Sequence, residues 1–256
     1  MKVTILGTGT SQGVPVIGCK CAVCRSEDVK DKRLRSAIMV EDGNTRIVVD
    51  VGPDFRQQML HHSVDNLDAI LLTHEHADHI FGLDDIRSFN WLQKSPMDIY
   101  CEQRVQESLR NIFNYVFAEN KMPGIPQMNL INLQNEKFRI ASINITPIRL
   151  LHQFLPVFGF RFDRFAYLTD FNVIEEQELE KLYGIDTLVI CALRKSPHVS
   201  HLNLSGALEL IKRIAPRKAY FTHLSHEIGK HRDLLAELPP AIEPAYDGLM
   251  IEIKNL

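Results

Sequence analysis

No stretch of the 256 residues stays apolar for the roughly 18–20 positions that a membrane-spanning helix requires. The opening residues, MKVTILGTGTSQGVPV, hold one lysine and a short apolar run that Gly7, Thr8, Gly9 and Thr10 interrupt at once. An export signal needs a longer apolar run and a small-residue cleavage site, and neither is there. A cytoplasmic protein with no membrane partner is therefore expected. Excess charge of one sign is lacking too. The 29 Lys and Arg stand against 32 Asp and Glu, a formal net charge of −3, which argues against nucleic acid as the main partner. Repeats and low-complexity segments are missing. The length suffices to bury one large core, so a single domain over 1–256 is expected. Nothing excludes a homodimer.

Cysteine is scarce, and its odd count of five fits poorly with a disulfide framework. Cys101 (MDIYCE) and Cys191 (TLVICAL) lie in strand-like apolar runs and are expected in the core, where a free cysteine behaves as a small hydrophobe. Cys19, Cys21 and Cys24 crowd into one short loop, a spacing that marks a metal site more often than a bridge. Cys-x-Cys-x-x-Cys leaves a tetrahedral Zn²⁺ one ligand short, and His226, in THLSH, is the candidate fourth. Such a closed site would hold a structural Zn²⁺ and perform no chemistry. Reduced surface thiols are the plainer alternative, and a redox role would need an exposed thiolate of lowered pKa.

β-Branched and aliphatic runs predict strands at 3–6, 36–40, 45–51 and 69–73, and again at 138–148, 158–162, 165–169, 187–193, 218–223 and 249–253. Helical periodicity covers 79–92, 104–117 and 204–215, with Asn203 as N-cap of the last, and further helices are expected near 175–183 and 227–238. Residues 119–136, with Pro123, Gly124 and Pro126, read as a long excursion. Two similar halves of strands and helices point to stacked sheets with helices outside.

What is abundant is histidine in one place. The apolar strand AILLT ends at Thr73, and His74, Glu75, His76, Ala77, Asp78 and His79 follow. Three imidazoles and a carboxylate at a strand's end supply the N and O ligands that Zn²⁺, Mn²⁺ or Fe favour. His74 and His76, two apart on extended chain, can point the same way, whereas Asp78 and His79 open a helix. One loop can thus serve two adjacent ions. Such a run is difficult to obtain by accident in a polar loop.

This His-x-His-x-Asp-His run, with the upstream strand ending in Asp50, Val51 and Gly52, resembles the metallo-β-lactamase superfamily. The resemblance implies an α+β fold, a four-layer αββα sandwich with a dinuclear centre where the sheets meet. It extends to His152 after SINITPIRLL, Asp170 ending FAYLTD and His223 ending KAYFTH. By that resemblance one divalent ion would take His74, His76 and His152, the other Asp78, His79 and His223. Asp170 and a hydroxide would lie between them. The segment GTGTSQGVPVIGCKCAVC (7–24) with His226 is more specific, and resembles the phosphoribosyl 1,2-cyclic phosphate phosphodiesterases. These imply two catalytic Mn²⁺ or Zn²⁺ ions, a structural Zn²⁺ and a small cyclic phosphodiester as substrate. They carry a general-acid histidine where His201 stands, three residues from His198, which remains its alternative. Turnover is expected to depend on His201 and on Asp78, while His61, His62 and His231 are expected on solvated faces.

Rival functions on the same motif are, in order, a tRNA 3′-end endonuclease, a glyoxalase II-like thioesterase and a non-catalytic binding protein. The first would use a basic arm, but in 119–137 Lys121 and Lys137 are balanced by Glu119 and Glu136. The second leaves the cysteines without a role, and the third would be expected to have lost ligands.

Overall fold

The computed structural model describes residues 1–120 and 122–254. Lys121, one of the lysines weighed above, lies outside them. The strands are β1 (Lys2–Gly7), β2 (Ala37–Asp42), β3 (Thr45–Val49), β4 (Ala69–Leu71), β5 (Met97–Cys101), β6 (Met128–Asn132) and β7 (Phe138–Ile140). They continue with β8 (Ile143–His152), β9 (Leu155–Phe162), β10 (Phe165–Leu168), β11 (Thr187–Cys191), β12 (Lys218–Thr222), β13 (Ile242–Pro244) and β14 (Met250–Glu252). Two seven-stranded sheets result, ordered β14-β1-β2-β3-β4-β5-β6 and β13-β12-β11-β10-β9-β8-β7. Counted from β14 in the first and from β7 in the second, three antiparallel pairings are followed by three parallel ones. The two halves read from the sequence are therefore real.

Period-2 alternation decides which side chains go where. Ile47, Val49, Ala69 and Leu71 of the first sheet meet Phe158, Phe160, Phe162 and Tyr167 of the second in a shared core. The intervening residues face outward. Val48 and Ile70 pack under α1 (Phe55–His61), α2 (Ala77–Ile80), α3 (Arg87–Gln93) and α4 (Gln103–Ile112). Leu168, Leu188 and Ile190 pack under α6 (Glu176–Glu180), α7 (Leu204–Ile214) and α8 (His231–Glu237), while α5 (Asn114–Phe117) continues from α4. Three apolar layers between four structural ones make the αββα sandwich, and Cys101 and Cys191 are buried in it as expected.

Several elements differ from their sequence reading. The helix expected over 79–92 is broken by a 3₁₀ turn, Leu83–Ile86, between α2 and α3. Gly82 lies so near the Gly52 backbone that a Cβ there would stand 2.1 Å from Gly52 O, so a tertiary contact overrides helical periodicity. The strand expected over 138–148 is a hairpin, β7 and β8, reversing near Ala141 at φ 47°, a left-handed position where no glycine, asparagine or aspartate stands and only Ser142 hints at a turn. The 119–136 excursion contains β6, the edge strand paired parallel with β5. The helix near 227–238 is split by Gly229 at φ 107°. His231, expected in solvent, is buried, with its backbone N donating to Asp31 Oδ1 at 2.7 Å.

Candidate metal centre

Every histidine and aspartate of the expected set stands at the end of a strand or in the segment just after it, where the sheets meet. His74 and His76 follow β4, Asp78 and His79 lie in α2, His152 closes β8, Asp170 follows β10 and His223 follows β12. Asp50, Asp170 and His223 all have left-handed backbones, at φ 66°, 52° and 54°. Non-glycine residues adopt this region at an energetic disadvantage, and it clusters at functional sites. Gly52 is required for a different reason: a Cβ there would meet Asp78 O at 2.0 Å, so only glycine lets the α2 loop close over β3.

Three of the imidazoles are each oriented through one nitrogen. Asp50 Oδ2 lies 2.7 Å from His79 Nδ1 and so turns Nε2 toward the centre. Asp50 also accepts from Thr73 N and Oγ1, at 2.9 Å each. With the Thr73 hydroxyl proton given to Asp50, His74 Nδ1, 2.9 Å from that hydroxyl, is the donor and its Nε2 carries the lone pair. His152 Nδ1 donates to Ser200 O at 2.8 Å, which again leaves Nε2 free.

Around Asp170 the ligand atoms crowd together, and Asp170 Oδ2 also accepts from Thr169 Oγ1 at 2.6 Å. His79 Nε2 is 3.2 Å from Asp78 Oδ2 and 3.3 Å from Asp170 Oδ2, and His223 Nδ1 is 3.0 Å from Asp170 Oδ2. Both nitrogens are nonetheless buried without a hydrogen-bond partner. Atoms so close yet unaligned are aimed at a shared point between them, and a buried polar atom left unpaired is otherwise costly. Charge points the same way. Against burial, which disfavours the ionised forms, His223 and His79 hold Asp170 well below the usual carboxylate range. Against burial too, Asp78, Asp170 and Asp50 raise His79 well above the ordinary imidazole value. An anionic cage of N and O donors suits a divalent cation of the Zn²⁺ or Mn²⁺ kind.

Asp78, His79, Asp170 and His223 each place one ligand atom within 4.8 Å of all the others, and so do His152, Asp170 and His201. Asp170 is common to both groups, as a bridging carboxylate would be. His74 and His76 belong to neither tight group among the described residues. They stand beside them, with His74 Nε2 3.0 Å from His76 Nδ1, and ring centroids 5.8 and 5.2 Å from His152. His76 is exposed, whereas His74, Asp78, His79, Asp170 and His223 are buried. His201 lies inside the centre, its ring stacked 4.9 Å from His223 and its Nδ1 3.8 Å from Asp170 Oδ1. Burial, with His223, pushes it down to about 3. His198 sits one ring further out, 5.2 Å from His201. The sequence reading gave no role to Asp50 beyond its motif; its partner His79 is distant in sequence, and only the Asp-x-Gly signal hinted at it.

The cysteine trio forms a second candidate site. Cys19 and Cys21 Sγ are 3.3 and 3.4 Å from His226 Nδ1, and with Cys24 the four ligand atoms fall within one 4.8 Å group. Backbone donors support the thiolates: Cys24 N reaches Cys21 Sγ at 3.4 Å, and Val16 N reaches Cys24 Sγ at 3.3 Å. The Cys24 bond, then His226, draws the Cys21 thiol down to about 6, whereas burial raises Cys24 to about 11. Three sulfurs and a nitrogen make a donor set that fits a tetrahedral Zn²⁺.

A model of the beta-lactamase superfamily domain matches residues 45–224, more than half of the chain. The crystal structure of a diphosphatase from the PhnP family superposes with a TM-score of 0.92 at 37% identity, covering 98% of this chain and 96% of that one. Zn²⁺-bound PqqB from Methylobacterium extorquens superposes over 99% of this chain and 100% of its own, with a TM-score of 0.79 at 20% identity. Human tRNase Z, short form, does so over 100% of both, at 0.70 and 19%. These two likenesses speak to the fold. An octanoyltransferase of Porphyromonas gingivalis is 42% identical over 252 residues, covering 97% of this chain, which spans about half (51%) of that protein's length. The chain thus belongs to the beta-lactamase superfamily and, within it, to the PhnP family.

Proposed function

We propose that the protein is a dinuclear metal-dependent hydrolase acting on a small phosphodiester, with a cyclic phosphate such as phosphoribosyl 1,2-cyclic phosphate as the preferred class. The observation that carries this reading is the convergence of unpartnered, buried His79 Nε2 and His223 Nδ1 with Asp78 and Asp170. Asp78, His79 and His223 would hold one divalent ion and His74, His76 and His152 the other, with Asp170 shared. A structural Zn²⁺ would sit on Cys19, Cys21, Cys24 and His226. When bound, the ions of the centre supply Lewis acidity toward phosphoryl oxygens and toward water. The chain's own part is to hold the ligands in register and to exclude bulk water, which the buried position of five of the seven ligands favours. His201, between His152, Asp170 and His223, is placed to pass a proton to the departing alkoxide, once the negative charge of a bound phosphate offsets the burial that holds its ring neutral.

The relative named a diphosphatase favours a second reading, cleavage of a phosphoanhydride in the same centre. An RNA-gripping arm has less support, because residues 128–132 of the excursion are an edge strand. The octanoyltransferase relative is about twice this chain's length, and we place acyl transfer outside the part matched here. Among the described residues no helix is long and apolar enough to cross a membrane.

Purified protein supplied with Mn²⁺ and offered cyclic phosphodiesters, linear diesters and diphosphates, with products followed by ³¹P NMR, tests the reading. Opening of a cyclic ribose phosphate faster than the other classes is expected, with no turnover in EDTA. Turnover that persists in EDTA, or none on any phosphoryl substrate, would overturn it.

A further inference from the structure

A ladder of charged side chains ties the loop bearing His74 and His76 to the hairpin bearing His152. Glu75, between the two histidines, pairs with Arg104 of α4. Arg104 also donates to Pro156 O of β9 at 2.6 Å, so one guanidinium joins the loop after β4 to the second sheet. Glu102, the N-cap of α4, receives two bonds from Arg149 of β8, at 2.8 and 2.5 Å. Paired N–H···O contacts of this kind fix direction as well as distance. The Arg149 guanidinium lies 3.8 Å over the Phe158 ring, and Phe158 N donates to Thr73 O at 3.1 Å, one residue before His74. The ladder's two carboxylates and two guanidiniums balance in charge, and their side chains are only 19 to 32% exposed.

An apolar interface resists separation of the sheets but is non-directional, so it does not by itself fix how far one strand end slides past the other. A metal site tolerates only about half an ångström of such error. His76 is exposed, and the hairpin turn after His152 is exposed at Gln153 and Phe154, so packing alone restrains this side of the centre weakly. The side formed by Asp78, His79, Asp170 and His223 is buried and has Asp50 to orient it.

We infer that Glu75, Arg104, Glu102 and Arg149 are positioning residues that set the spacing between the His74–His76 pair and His152, and thereby the affinity of that half of the centre for its ion. The inference rests on the proposed reading of those three histidines as ligands. Glu75 is thus the one charged residue of the His-Glu-His-Ala-Asp-His run that faces away from the centre, toward the sheet-to-sheet tie.

Cadmium-loaded full-length protein followed by ¹¹³Cd NMR, with competition against a chromophoric chelator, separates the ions. The signal that His76→Ala removes identifies the ion concerned. In Arg104→Gln that ion is expected to bind roughly tenfold to a hundredfold more weakly, the usual effect of losing a partner behind a ligand, while the other two hold. Arg104→Lys, which keeps the charge near Glu75 but cannot reach Pro156 O as well, is expected in between. Adding Glu75→Gln to Arg104→Gln is expected to change nothing further. Unchanged affinity in Arg104→Gln, or an equal weakening of all three ions with a lower melting temperature, would overturn the inference. If His76→Ala removes no signal, the ligand reading itself fails and the inference with it.

Discussion

The two candidate metal sites are built in opposite ways. The histidine–aspartate centre draws its ligands from the ends of strands in both sheets, and most of its members are buried and held by a second side chain or a carbonyl. The cysteine site takes three ligands from one short loop and one from the 3₁₀ turn His226–Ile228, and it rests on a small apolar cluster of Val14, Val23 and Cys24. On the proposed reading, one site is assembled by the fold and the other helps to assemble it. An open, strained, charge-rich cage suits chemistry, whereas a closed S₃N set suits structure. The sites also touch: His223 and His226 share one loop, and Leu224 pairs with Gly9 at the start of the cysteine segment.

The largest effect that should separate them is on turnover. Asp78→Asn keeps the shape of a buried side chain but removes a charge that faces His79. It is expected to lower kcat/KM on a phosphodiester by about a thousandfold or more, the scale of losing an electrostatic stabiliser. Its melting temperature should stay near that of the parent, measured by calorimetry. An equal loss of fold and rate would erase the distinction.

His201 sharpens the comparison within the catalytic centre. If it delivers the proton, His201→Ala should slow a ribose or alkyl diester by roughly a hundredfold and bis(p-nitrophenyl) phosphate much less, because p-nitrophenolate leaves without help. His198→Ala, one ring further from the centre, should lack this dependence on the leaving group. A uniform loss on both substrates would make His201 a ligand or a binding residue, consistent with its place beside His152 and Asp170. The reverse pattern between the two variants would move the acid to His198.

The smallest effect on rate should come from the other site. Cys21→Ser removes a thiolate that Cys24, His226 and Cys19 stabilise. It is expected to lower the melting temperature by about 10 °C, since a lost structural ion is lost folding free energy. Turnover at room temperature should fall less than about threefold. A large rate loss at unchanged melting temperature would assign the cysteines a catalytic part.

How much of this was legible depended on how locally the information was written. The His74 to His79 run, the cysteine trio and the strand alternation sit in contiguous residues, so spacing alone carries them. Asp50 was visible only as part of a motif, because its bonds to Thr73 and His79 form only once β3 and β4 pair. The break at Gly82 follows from its contact with Gly52, and the hairpin at Ala141 has only Ser142 as a local turn signal. His231 carries a polar side chain on a helix of mixed pattern, and only its docking against Asp31 explains its burial. The ladder from Glu75 to Arg149 joins residues far apart in sequence, on elements whose sheet partnership no periodicity specifies.

Metal content tests the dinuclear reading most directly. Elemental analysis of the fully active chain, repeated after graded chelation, should find three ions per chain. Two should leave together with activity, and one should remain on the cysteine site until the fold is lost. A single ion per fully active chain would contradict the dinuclear centre.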